Sequence, residues 1–380
     1  MNFKFIYLAC PCNPIGGGMR RVADYLIQTQ HFTDEDGERQ GLAELRALDT
    51  RGRGSAASSL FVLGGALLRI LKGRLTGRLA GVHVNMAERL SLFRKASVVL
   101  FTRAVGLPVI LHLHAAQLHH FYRDLPSPLQ WLVRWTFARA TTVLVLGQAS
   151  TAFVVDVLKV PAHRVTIVNN GVPDALMPRQ ESSEHGKPLR LFFLGNLSER
   201  KGVSDLIKAL GRSKVAAGGN FEAVFGGIGD IEGYTALARE VGAAEVCQFA
   251  GWVGQKQAAT LMAGTDVLVL PSYDEGLPLV ILEALANSTA VICTPVGEIP
   301  HALKDGVDAL FVAPGDIDQL ARAIDRVLSD ADLRRALQAG GRASYEEHFS
   351  IEKFSETIAG FHQQHFGISA RLSHPARRMQ

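Results

Sequence analysis

Short apolar, β-branched runs alternate along the chain with longer stretches in which apolar residues recur every three or four positions. Phe3–Ala9, Gly81–Val84, Val109–His114, Thr142–Leu146 and Val165–Val168 are nearly continuously apolar, the pattern of strands buried on both faces of a parallel sheet. Between them, stretches such as Met19–Gln28 and Ser127–Arg139 carry a helical period. This strand–helix rhythm predicts a doubly wound parallel sheet. The rhythm pauses at the polar stretch Arg179–Pro188. It resumes at Leu189–Leu194, Phe221–Phe225, Cys247–Ala250, Val267–Leu270, Ala290–Cys293 and Ala309–Val312. The pattern therefore predicts an α/β chain of two such domains, 1–180 and 189–350, with a linker over 181–188. A helix over 351–367, which could return to the first domain, and a basic tail over 368–380 complete the reading.

The length of 380 residues suits two ordinary cores better than one. Apolar residues at 47% and charged residues at 20% give the balance of a globular protein. Cys10, Cys12, Cys247 and Cys293 form neither a zinc knuckle nor a C-x-x-C pair, and read as reduced thiols of a cytoplasmic protein. No cleavage-site pattern follows Phe3–Ala9, and no run reaches the ~18–20 uninterrupted apolar residues of a membrane span. Leu60–Leu68 comes nearest and stops at Arg69.

The net charge of +4 conceals an asymmetry. Residues 1–180 hold 21 Lys/Arg against 11 Asp/Glu, or +10, and residues 181–380 hold 19 against 25, or −6. From Arg51 to Arg103, ten basic residues face one acid, Glu88. Such a field attracts an anionic partner. With Leu60–Leu71 interleaved among Arg69, Lys72, Arg74 and Arg78, the 51–103 stretch suits peripheral attachment to an anionic membrane surface, at the inner face of the plasma membrane. An ordinary amphipathic helix with a solvated face is the simpler alternative. No nucleic-acid-binding motif accompanies the charge, so nucleic acid is not a predicted partner.

Ligands of open α/β sheets bind beyond the carboxyl ends of the strands, so four loops stand out. Pro14–Gly18, after the first strand, holds Gly16 and Gly17, which let backbone approach a ligand; it is not G-x-G-x-x-G, which disfavours a nicotinamide cofactor. Gly195–Gly202 brings Arg200 and Lys201 to a helix start, where two cations suit a diphosphate. Pro271–Ala284 places Glu275 in a loop and Glu283 on a buried helix whose first turn Pro278 begins. Carboxylates there can accept hydrogen bonds from paired sugar or ribose hydroxyls, and an unpaired buried glutamate is rare. His112 and His114 share one side of a strand, with His119 and His120 following. A metal site would need further ligands, and a satisfied core histidine is the plain alternative. Asp34–Asp36 matches D-x-D only formally, in a polar loop.

Together these elements resemble family 4 of the retaining glycosyltransferases, which have the GT-B fold of two Rossmann-like domains facing a cleft. The motif D-E-G-L-P-L-V-I-L-E-A (274–284) looks like that family's E-x7-E, with Arg200-Lys201-Gly202 upstream, Asn169–Val172 like its N-G-V signature, and Pro295–Pro300 and Asp305-Gly306 like its later loops. The resemblance implies that Arg200 and Lys201 hold the donor diphosphate, Glu283 the ribose, and Glu275 the transferred sugar with the amides of Gly276 and Leu277. Gly195 would belong to the same donor site. Gly16 and Gly17 would approach phosphates or acceptor, and His114 the anomeric carbon. It also implies metal-independent transfer with retention, without a cofactor. The sequence departs from the common pattern at Pro278, at Glu298 and His301, and at Ala115. Residues 82–96, followed by 108–122, further resemble members that build bacterial exopolysaccharides and similar glycans on lipid carriers. These imply a hexose donor, GDP-mannose first, and a polyprenyl-diphosphate-linked glycan acceptor. A non-catalytic nucleotide-sugar-binding scaffold and a GT-B-like epimerase are the alternatives.

Overall fold

The computed structural model describes residues 4–10, 17–29, 44–52, 54–115, 117–179, 188–218 and 221–368. Gly16, Cys12, Asp34–Asp36, most of the predicted linker and nearly all of the basic tail lie outside the described residues. The chain divides into two compact units, 1–171 with 351–380, and 172–350.

In the first unit six parallel strands lie in the order β2-β1-β3-β4-β5-β6: β1 Phe5–Cys10, β2 Glu44–Asp49, β3 Leu79–Met86, β4 Val109–Leu113, β5 Thr142–Val145 and β6 Val165–Ile167. Its helices are α1 Gly18–Thr29, α2 Ala56–Leu75, α3 Leu90–Ala104, α4 Leu118–Arg123, α5 Ser127–Arg139 and α6 Gln148–Ala152. β2 is the one strand of this sheet that the pattern did not predict. Its sequence, ELRALD, buries only Leu45 and Leu48 fully, because it is an edge strand paired with β1 alone. An edge strand tolerates the charges that disguise it. β3 and β4, central and wholly apolar apart from His83, Asn85 and His112, are almost completely buried. α2, α3 and α5 cover one face over a core that includes Ile70, Val98, Val99, Val133 and Phe137.

The second unit has six parallel strands in the order β12-β11-β10-β7-β8-β9: β7 Leu189–Leu194, β8 Phe221–Gly226, β9 Cys247–Gly251, β10 Val267–Leu270, β11 Ala290–Cys293 and β12 Leu310–Phe311. Its helices are α7 Val203–Arg212, α8 Lys214–Ala217, α9 Ile231–Glu240, α10 Gln255–Ala263, α11 Leu279–Ala286, α12 Ile299–Ala302, α13 Ile317–Ser329 and α14 Ala331–Ser344. Both units are thus Rossmann-like, as in the GT-B fold.

The last helix, α15 Ile351–Phe366, belongs to the first unit. Thr29 Oγ1 and Ser355 Oγ lie 2.9 Å apart, and His362 Nε2 lies 2.9 Å from His83 Nδ1. The second unit therefore interrupts the first. Its entry and exit lie side by side: Val172 and Ser350 form a parallel bridge, and the Val172 N–H donates to the Phe349 carbonyl at 3.0 Å. The contact boundary at Gly171/Val172 precedes the predicted one at 180. Among the described residues no helix is long and apolar enough to cross a membrane.

Candidate functional site

In the second sheet the chain runs outward from β7 through β8 to β9, then returns to set β10 on the other edge of β7. The loops after β7 and β10 therefore leave neighbouring strand ends in opposite senses. That is the switch point at which α/β sheets hold ligands. Both of the motif-bearing loops of the sequence lie there.

Lys201 Nζ donates to Glu275 Oε1 in an ion pair whose side chains are only 14% and 8% exposed. Ser272 Oγ donates to the same oxygen at 2.7 Å. Arg200 Nη1 donates to the Asp274 carbonyl at 2.7 Å, and the Tyr273 N–H donates to the Arg200 carbonyl at 2.8 Å. Tyr273 Oη in turn donates to Asp205 Oδ2 at 2.7 Å, close to the start of α7. Two loops far apart in sequence are stapled together through both backbone and charge. A pair this buried is strongly coupled, because little water screens it.

Two glycines permit the close approach. Gly202, at φ 68°, ends the turn Glu199–Lys201; a Cβ there would lie 2.1 Å from the Pro271 carbonyl oxygen. Gly297, at φ 60° in the loop after β11, would place a Cβ 1.8 Å from the Glu275 carbonyl oxygen. Only a residue without a side chain fits both the left-handed backbone and the contact. The Glu298 N–H then donates to the Gly276 carbonyl at 3.2 Å. Three loops thus converge around Glu275.

Pro278 is not in the first turn of α11, where the sequence placed it. It is the N-cap, at φ −67° and ψ 127°. A cap residue takes an extended ψ before the helix begins, so α11 starts one residue later, at Leu279. Glu283 lies on α11, half-buried, and Leu277 is buried. Gly195 follows β7 directly, its N–H donating to the Gly226 carbonyl at 2.9 Å.

The first unit brings a different set together. His114 lies just past β4, its N–H donating to the Met86 carbonyl at 3.0 Å. Its ring centroid is 4.0 Å from that of His112. His112 Nδ1 is 3.4 Å from His83 Nε2, and His83 Nδ1 is 2.9 Å from His362 Nε2. Four imidazoles thus run in line from α15 through β3 and β4. Burial holds the His83 and His112 rings well below their usual range, with neighbouring imidazoles adding to the shift. Burial, then the Lys95 ammonium, pushes His114 down to about 3, and burial alone does the same to His362. All four are neutral at physiological pH. Lys95 itself is buried and donates to the Ala9 carbonyl at the end of β1.

Sequence reasoning had singled out only His112 and His114 from this set; His119 and His120 are exposed. His83 and Asn85 carried a signal, two polar residues with the same spacing in an equally apolar strand. Asn85 stands opposite His112 in the β3–β4 register. His362 and Lys95 had none. Both amide atoms of Asn85 and Nε2 of His112 and His114 are buried without a hydrogen bond, a state that few buried polar groups share. Gly17 leads into α1, with nothing within 4 Å of the position a Cβ would take. Among the described residues no group of three His, Cys, Asp or Glu is arranged to hold a metal ion.

Residues 178–344 match the model of the family "Glycosyl transferases group 1". The chain is 24% identical over 268 residues to the "Uncharacterized glycosyltransferase MJ1607" of Methanocaldococcus jannaschii, covering 66% of this chain and 68% of the relative. It is 32% identical over 163 residues to the "Lipopolysaccharide core biosynthesis glycosyltransferase LpsE" of Rhizobium meliloti, covering 43% and 46%; the chain thus spans less than half the length of that relative. Among solved structures, Anabaena HepE in complex with UDP and glucose superposes with a TM-score of 0.72 at 16% identity, covering 94% of this chain and 99% of HepE.

Proposed function

We propose that this chain, whose residues 178–344 match the group 1 glycosyl transferases, moves a hexose from a nucleoside-diphosphate sugar to a glycan acceptor, with retention of configuration. The observation that carries the proposal is the convergence of Arg200, Lys201 and Glu275 at the switch point between β7 and β10. Cations at that place stabilise a departing diphosphate, and they gain strength as its charge develops. Lys201 and Arg200 would take the diphosphate. Glu275, released in part from Lys201 as the phosphates arrive, would accept hydrogen bonds from the sugar hydroxyls alongside the Gly276 and Leu277 amides. Glu283 would bind the ribose. Gly195 keeps the loop thin enough for the donor to approach.

In the first unit, the neutral His114 ring suits a hydrogen bond to the transferred sugar, and Gly16 and Gly17 an approach to phosphate or acceptor. The exposed Ile228 and Trp252 follow β8 and β9 and offer apolar area to a nucleobase. No metal is assigned a role, since the cations are side chains. The donor preferred from the sequence resemblance is GDP-mannose; the likeness to HepE, solved with UDP, adds the UDP-hexoses to the test. The acceptor is a polyprenyl-diphosphate-linked oligosaccharide of exopolysaccharide assembly, and the working place is the cytoplasmic side of the membrane.

Release of nucleoside diphosphate from a panel of GDP-mannose and UDP-hexoses tests the proposal, with lipid-linked acceptor extract added in parallel. Turnover of one donor, lost in Lys201→Ala and Glu283→Ala, is the result it requires. Binding of a donor without turnover under any condition would favour a nucleotide-sugar-binding scaffold instead. Release of a free epimer would favour an epimerase.

A further inference from the structure

α2 is a 20-residue helix on the surface of the first unit, and its outward side is apolar. Leu60, Phe61, Leu68 and Leu75 are 66%, 85%, 68% and 77% exposed. At about 100° per residue, these four positions fall within an arc of roughly 100°. The opposite side of the helix, Ala66 and Ile70, is fully buried in the core. The exposed stripe is therefore a second apolar face, and packing inside the unit does not account for it.

The edges of the stripe are basic. Arg69 and Lys72 flank one side and Arg74 the other, all exposed. No acidic residue occurs between Asp49 and Glu88. Large apolar side chains rimmed by exposed cations, along a helix about 30 Å long, form a surface that lies flat in a charged interface. A second copy of the chain is a poor occupant: a two-fold contact through this stripe would set its basic edges against themselves. The sequence alone offered the basic 51–103 stretch with Leu60–Leu71 interleaved, without saying which of its apolar residues face outward. The structure assigns it an anchor: we infer that α2 docks on an anionic lipid bilayer, with Phe61 and Leu68 entering the acyl boundary and Arg69, Lys72 and Arg74 meeting the headgroups.

This inference is independent of which donor or acceptor is used, and it is read without turnover. Vesicles of phosphatidylcholine alone and of phosphatidylcholine with phosphatidylglycerol are sedimented with the full chain. Binding is expected only to the anionic vesicles, and weaker at about 0.5 M salt, where exposed charges are screened. Phe61→Ser with Leu68→Ser should lower the partition coefficient by roughly tenfold or more, since each removes an apolar side chain from the lipid. Replacing Arg69, Lys72 and Arg74 by Gln should abolish the preference for anionic lipid. Circular dichroism should be unchanged in both variants, because all five side chains are exposed. No binding to anionic vesicles at low salt, or equal binding by the Phe61→Ser/Leu68→Ser variant, would overturn the inference. So would a dimer in solution that this variant dissolves, which would give the stripe to a second copy.

Discussion

Gly202→Ala tests whether the convergence of loops around Glu275 is as tight as the geometry requires. Two costs add. A left-handed backbone at φ 68° costs a residue with a Cβ about 1–2 kcal/mol. The new Cβ would also start 2.1 Å from the Pro271 oxygen, so the loops after β7 and β10 must part by about 1 Å to reach ordinary contact. Forcing that movement costs a further ~1–3 kcal/mol. Gly242 supplies the comparison, since its φ is 75° but a Cβ there meets nothing within 4 Å. Gly242→Ala should therefore lose only the ~1–2 kcal/mol of backbone strain. With Trp131 and Trp135 replaced by Phe, Trp252 is the only indole left of the three and reports unfolding of the second unit in urea. Gly202→Ala should unfold at lower urea than Gly242→Ala. It should also lose roughly 100-fold in donor turnover, the usual effect of a 1 Å misplacement, while Gly242→Ala keeps its turnover. Equal denaturation midpoints and equal turnover in the two variants would refute the reasoning.

Lys201→Met should destabilise the second unit by about 3–5 kcal/mol, since it strands the Glu275 carboxylate in a buried place; adding Glu275→Gln should recover part of that loss, and a double-mutant cycle in urea measures the coupling. The imidazole line makes the first unit acid-sensitive. An unfolded histidine binds its proton near pH 6.5, whereas His114 and His362 resist it down to about 3. The unfolded chain therefore holds more protons between those values, and stability is complete above pH 6.5 and falls as the pH drops below it, by up to ~1.4 kcal/mol per pH unit for each such histidine. Denaturation followed through Trp131 and Trp135 at pH 7.5 and pH 5 checks the sign. His362→Phe should flatten the slope by about one such increment.

Eleven of the twelve strands were legible because a parallel sheet buried on both faces leaves continuous apolar runs, with no need for partners to be known. β2 was hidden because an edge strand half-open to water can carry Glu44, Arg46 and Asp49 and still pair. The loops of the second unit were legible for a different reason: their residues are consecutive and their order along the chain is the order of the motif. What could not be read was anything that depends on two distant segments meeting. The Lys201–Glu275 ion pair and the fit of Gly297 against Glu275 both join separate loops. The line from His362 to His114 joins three elements, and no local pattern in α15 marks His362. The start of α11 was misplaced by one residue because proline suits both the cap and the first turn, and only the backbone ψ distinguishes them.

The interruption of the first unit by the second has a consequence during synthesis. Residues 172–350 are contiguous, so that unit has its whole sheet available once the ribosome has passed Ser350. The first unit does not. Its five-residue seam of Ile351, Phe354, Ile358, His362 and Phe366, buried on α15, is the last of its described elements to emerge, and until then His83 lacks the His362 ring. The half of the chain that is made first is completed last. A nascent chain arrested near residue 350 would hold a finished second unit and a first unit with an open flank, and a short C-terminal truncation would damage the amino-terminal half of the protein rather than the half it was cut from.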